Sequence, residues 1–154
     1  MRRYHPVHLY DVFNDRYKVR AKLAFGQFRQ YGLRQQQVVL KILKADASKD
    51  NKELSILLQL SGSALEYPGK NHLMNLLDHF EHHSPNGTHL CLVLLVMISD
   101  GEAVTITGRP HYAADIQEVS RQILLGLDFL HTSDIIHCGM SLSCGLFDTP
   151  TKFF

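Results

Sequence analysis

Val38–Leu43, "VVLKIL", constrains the fold more than any other stretch: a β-branched apolar run interrupted by one charge, Lys41. A run this apolar reads as a strand covered on both faces. A lysine inside it is tolerated only if its ammonium finds a partner. The fold must therefore bring an anion to Lys41 from elsewhere in the chain. At 154 residues with 45% hydrophobic content, one domain's worth of chain can build such a core.

The remaining pattern mixes strands and helices. Arg16–Phe25 alternates, with Tyr17, Val19 and Leu23 on one face. Asp50–Leu60 reads as a helix, with Asp50 and Glu53 as an acidic capping box and Leu54, Leu57 and Leu58 as its apolar stripe. Leu76–Phe80 and Leu90–Met97 read as strands flanking the turn signal Ser84-Pro85-Asn86-Gly87. Ala114–His131 is the clearest helix, with Ile116, Val119, Ile123, Leu127 and Leu130 on one face. Met1–Asn14 reads as an extended lead-in, Ser99–Tyr112 as a polar connection, and Gly26–Gln37 gives no clear pattern.

Composition excludes several functions. A net charge of +1 drives the chain to neither nucleic acid nor an anionic membrane. The longest apolar run, Leu90–Ile98, is far below the roughly 20 residues of a membrane span, and no signal peptide opens the chain. Three cysteines, Cys91, Cys138 and Cys144, are too few and odd in number for a disulfide scaffold, which predicts a reduced, intracellular protein. The sequon Asn86-Gly87-Thr88 then reads as a turn. His79, His82, His83 and His89 around one hairpin read as a wet turn ahead of a metal site, which needs three or four converging ligands. "SGSALEYPGK" at Ser61–Lys70 lacks phosphate-loop spacing and reads as a connecting loop. His137, Cys138 and Cys144 carry the residue types of thiol catalysis, a reading set aside below.

Four long runs carry a family resemblance over nearly the whole chain. They are "YHPV" with "DVFNDRYKV" at Tyr4–Val19, "LKILKADASKDNKELSILLQLS" at Leu40–Ser61, "HLMNLLDHFEHHSPNGTHLCLVL" at His72–Leu94, and "QILLGLDFLHTSDIIH" at Gln122–His137. Together they resemble the SR-protein kinases, serine/threonine kinases that phosphorylate Arg-Ser-rich splicing factors. The resemblance implies an α+β fold: a kinase-like small lobe, with an antiparallel five-stranded sheet and an αC helix, plus only the first part of a helical large lobe. It implies a lead-in over 1–15, a small lobe over 16–98, and a hinge, long helix and catalytic-loop remnant over 99–154. It also implies that Glu53 pairs Lys41 beside ATP phosphates. Gly26 matches the Gly-rich loop, and Val39, Leu94 and Leu146 match positions around adenine. Val96 and Met97 match the hinge. The apolar positions fit plain core packing equally well.

The chain departs from that family at its chemistry. The frame H-x-D-x-x-x-x-N reads here from His137 with Gly139 at the Asp position and Cys144 at the Asn position. His137 is then a packing residue beneath this loop. Glycine cannot accept a hydroxyl proton, and a thiol is a poor ligand for hard Mg²⁺. In "AFGQFRQYG", Ala24–Gly32, only Gly26 keeps the phosphate-loop pattern, and Tyr31 stands where a valine covers adenine. Arg29 reads as a solvated arginine. No Asp-Phe-Gly-type segment follows. The expectation is a truncated pseudokinase with weak ATP binding, no Mg²⁺ site and phosphoryl transfer lost. The alternatives are an interaction or decoy module, and a functionless product of a decayed gene copy. An unpartnered Ala114–His131 stripe would favour self-association, a chaperone or a protein partner. The expected location is cytoplasm, nucleus or both.

Overall fold

The computed structural model describes residues 4–24, 27–31, 37–62, 66–96, 99–100, 113–139 and 146–147. The chain divides into two compact units: Met1–Gly62 with Met74–Val96, and Ser63–Leu73 with Met97–Phe154.

The first unit is an antiparallel sheet of six strands: β1 (Val12–Phe13), β2 (Tyr17–Ala24), β3 (Gln27–Tyr31), β4 (Gln37–Ile42), β5 (Leu76–Ser84) and β6 (Gly87–Leu95), in the order β1-β2-β3-β4-β6-β5. The expected five strands become six because the lead-in itself contributes β1. Asn14 and Asp15 adopt φ of 50° and 51° in the tight loop that folds β1 back onto β2. These two residue types tolerate that left-handed geometry best after glycine. A two-residue strand leaves no periodicity to read. Gln27–Tyr31, inside the segment without a clear pattern, pairs on both sides, with β2 and with β4. Strands β5 and β6 run further into their hairpin than expected, to Ser84 and Gly87. Their polar ends obscured this, because β5 is an edge strand with one accessible face.

Side-chain alternation divides the core in two. One face holds Phe13, Tyr17, Val19, Val38, Leu40, Ile42, Cys91 and Val93, with Val7 and Phe80 packed on it. The opposite face holds Leu90, Leu92 and Leu94, against which Val39, Leu43, Leu54, Leu57, Met74 and Leu76 pack. Cys91 is fully buried, and that burial pushes its thiol up to about 12. The helix α1 (Lys52–Gly62) contributes Leu54 and Leu57 to the second face, whereas Leu58 of the expected stripe is exposed.

In the second unit, α2 (Ala113–Thr132) packs against a 3-10 turn at Pro68–His72. A Cβ added at Gly69 would lie 1.9 Å from the Leu125 carbonyl oxygen and 2.8 Å from Phe129 Cβ. The Tyr67 ring stacks on Phe129, and its hydroxyl donates to Asp128. This seat makes Gly126 and Phe129 the buried centre of the helix, with Leu130 beside them. It corrects the expected stripe: Val119, Ile123 and Leu127 are half-buried and Ile116 is exposed. Asp134, at φ 58°, closes the helix end, where Ile135 N–H donates to the Leu130 carbonyl. Two short strands, β7 (Ser99–Asp100) and β8 (Leu146–Phe147), pair antiparallel. Among the described residues, no helix is long and apolar enough to cross a membrane.

Gly69→Ala should therefore overpack the turn–helix contact and cost ~1–3 kcal/mol in chemical denaturation. Gly139→Ala, with none of the described residues within 4 Å of the added carbon, should stay within ~0.5 kcal/mol of the parent.

The Tyr17 hydroxyl donates to Asp78 Oδ2 at 2.7 Å, and the Arg16 guanidinium reaches the same oxygen at 2.6 Å. Burial, then the bond to Asp78, raises the phenol to about 12. A raised value means the contact is complete below the ordinary tyrosine value of 10 and is lost as pH climbs through about 12. Ultraviolet titration should show a phenol ionising near pH 12 that Tyr17→Phe removes.

Candidate functional site

Lys41 lies in β4 with Leu92 of β6 directly opposite, and Val39 lies opposite Leu94. Since side chains two apart share a face, Val39, Lys41, Leu92 and Leu94 form one surface, on the side covered by α1. The anion that Lys41 requires is Glu53: Nζ donates to Oε1 at 2.7 Å and to Oε2 at 2.9 Å.

The helix start explains why Glu53 is available. Asn51, not Asp50, caps α1, its Oδ1 accepting from Leu54 N–H at 2.9 Å. Asp50 has φ 48° and stands outside the helix. The expected Asp50–Glu53 capping box therefore does not form, because the cap lies one residue later. Glu53 falls one position before the N3 site of a capping box, and its carboxylate binds Lys41 instead. Its charge in the first turn also complements the helix dipole. Leu54 and Leu57 hold the helix on the sheet.

With 33% and 41% of the two side chains exposed, this ion pair belongs to the partly solvated class. Such pairs contribute about 0–1 kcal/mol, so fold stability is a weak reason for it. Lys41→Met and Glu53→Gln should each shift unfolding free energy by no more than ~1 kcal/mol in denaturant titrations. By contrast, Leu92→Ala, at a fully buried position, should cost about 2–5 kcal/mol.

The other expected site positions are distributed unevenly. Val96 is buried just beyond β6. Leu146 belongs to β8, opposite Asp100. Gly139 is exposed in the second unit, following Cys138, which has φ 62°. His137, expected to pack beneath the loop, is exposed instead, because none of the described residues covers it. Gly26, Met97 and Cys144 lie outside the described residues. Leu92 was missed as a neighbour of Lys41. The matching alternation of Val39-Lys41-Leu43 with Leu94-Leu92-Leu90 carried that information.

The hairpin histidines differ from the expected wet turn. His89 is fully buried, with Nδ1 2.9 Å from the Leu43 carbonyl oxygen and Nε2 3.2 Å from Ser84 Oγ. It packs as a core residue because its ring satisfies both nitrogens locally. Among the described residues, no group of three His, Cys, Asp or Glu side chains converges to hold a metal.

An antiparallel sheet with one helix across it, a strand lysine ion-paired to that helix, and a following long helix define the protein-kinase small lobe with part of the large lobe. No family model matches the chain. Its relatives nonetheless agree. Protein kinase dsk1 of Schizosaccharomyces pombe is 32% identical over 163 residues, covering 97% of this chain and 28% of that protein. SRSF protein kinase 3 of Homo sapiens is 33% identical over 147 residues, 87% of this chain and 26% of that protein. Serine/threonine-protein kinase SKY1 of Saccharomyces cerevisiae is 31% identical over 164 residues, 97% of this chain and 21% of that protein. Over most of its length the chain is similar to these SR-protein and serine/threonine kinases. It spans between 21% and 28% of the length of these three relatives.

Proposed function

We propose that this chain is a nucleotide-binding pseudokinase of the SR-protein kinase family, with no phosphoryl transfer of its own. One observation carries the reading: the Lys41–Glu53 pair stands intact while Gly139 offers no side chain at the proton-accepting position. A lysine oriented by a carboxylate is what the phosphates of ATP require from this strand. Val39 and Leu94 give the same surface an apolar patch suited to adenine. The donors do not suit Mg²⁺. Gly139 supplies no oxygen ligand, and Cys144 supplies sulfur. Phosphoryl transfer relies on positioning, metal charge and a base, and this chain retains only the first of these in its small lobe. Nucleotide binding without Mg²⁺ is then weak, with a Kd on the order of 1 mM. The proposed place of action is the cytoplasm or nucleus.

A second reading is an interaction module. It is favoured by Ile116 and Leu124, 55% and 65% exposed on α2, which offer apolar surface to a protein partner. Polar substitution of both should then abolish capture of that partner while leaving nucleotide binding intact.

The deciding experiment incubates the chain with labelled ATP, Mg²⁺ and an Arg-Ser-rich peptide. No label should transfer, and ATP binding followed by calorimetry should fall at least about tenfold in Lys41→Ala. Label transfer that Lys41→Ala abolishes would overturn the reading.

A further inference from the structure

The strap ahead of β1, residues 4–11, lies on the face of the sheet opposite α1. Val7 packs on the Phe13–Val93 cluster there, and Tyr10 N–H and Asp11 C=O bond the backbone of Val19 at 2.9 Å each. Asn86 Nδ2 donates to the Tyr4 carbonyl at 3.2 Å, and Lys44 Nζ sits 4.5 Å above the Tyr4 ring. Between these tethers the strap inserts an imidazole. The His5 ring lies 4.5 Å from that of His82, 5.6 Å from that of His89 and 5.6 Å from Phe13. His82 in turn lies 4.8 Å from Phe13. His5 Nδ1 is buried with no hydrogen-bond partner among the described residues.

His5 and His82 meet each other and Phe13 edge to face, with His89 tilted against His5, and this setting suits neutral His5 and His82 rings better than charged ones. The strap contributes His5, His8 and Asp11, β5 contributes His82 and His83, and β6 contributes His89. Lys44 adds a cation beside the neighbouring Tyr4. Among the described residues Asp11 is the one anion acting on His5 and His82, and its Oδ2 already accepts from His8 N–H at 2.8 Å. A proton added to half-buried His5 or His82 would therefore sit beside other imidazoles, facing an Asp11 carboxylate that already accepts from His8.

We propose that the His5–His82–His89 cluster is a pH-operated latch, which holds the strap down while His5 and His82 are neutral and releases it when they are protonated. Burial first, and the neighbouring imidazoles second, lower the pKa of both His5 and His82 below the ordinary 6.5. The docked strap thus binds fewer protons than the free one, so docking is complete above about pH 6.5 and weakens as pH falls below it. Release uncovers Phe13, otherwise 2% exposed, together with the apolar face beneath Val7.

Hydrogen exchange on the full chain, corrected for intrinsic rates, tests the latch between about pH 7.5 and 5.5. Protection across residues 4–13 should fall about tenfold over that range, while β6 stays protected. His5→Phe and His82→Phe should each flatten the pH response, and His8→Gln, at an exposed ring, should preserve it. Strap protection that ignores pH, or an unchanged fall in either phenylalanine variant, would overturn the proposal. Should a variant not fold, ring titration of the parent by NMR decides. Midpoints for His5 and His82 below 6.5 support the latch, and either one at or above it removes the latch.

Discussion

Strand β6 is enclosed on both faces, and the rest of the first unit is arranged around that demand. Cys91 and Leu92 are fully buried although they point to opposite sides. A single sheet cannot cover itself, so each face needs its own cover. One side is closed by α1 and its leucines. The other is closed by the strap and by the aromatic residues Phe13, Tyr17 and Phe80. The same demand explains why a lysine is tolerable in β4. Lys41 points toward the face where a helix start can supply a carboxylate, and its neighbours Leu40 and Ile42 point away into dry core.

Much of this was legible in the sequence. The β4 run, both helices and the Ser84–Gly87 turn all sit within a few residues of where periodicity and turn chemistry place them. The misses have physical causes. Strand β1 is two residues long and shows no alternation. The cap of α1 moved by one residue because Asn51 competes with Asp50, and only backbone geometry separates two adjacent capping residues. The burial of Phe129 depends on Gly69, more than fifty positions earlier, and no helical wheel contains that partner. His89 looked like a surface residue because its hydrogen-bond partners, Leu43 and Ser84, are set by strand register.

The candidate site was legible to a lesser degree. The need for a partner at Lys41 follows from its apolar flanks alone, while the identity of that partner came through family resemblance and now rests on a two-oxygen contact. Holding a half-solvated ion pair adds little to stability. At Gly139, by contrast, none of the described residues lies within 4 Å of a Cβ added there.

Cys91 has a practical consequence. Its sulfur is sealed in the middle of the sheet and held as a thiol well past neutral pH, while Cys138 is exposed to solvent. Alkylating reagents attack thiolates, so the two residues keep different clocks. Modification of Cys138 reports reagent access, whereas modification of Cys91 must wait for the cover over the Phe13–Val93 face to lift. The chain therefore carries its own counter of events that uncover this face, readable by mass without any added probe.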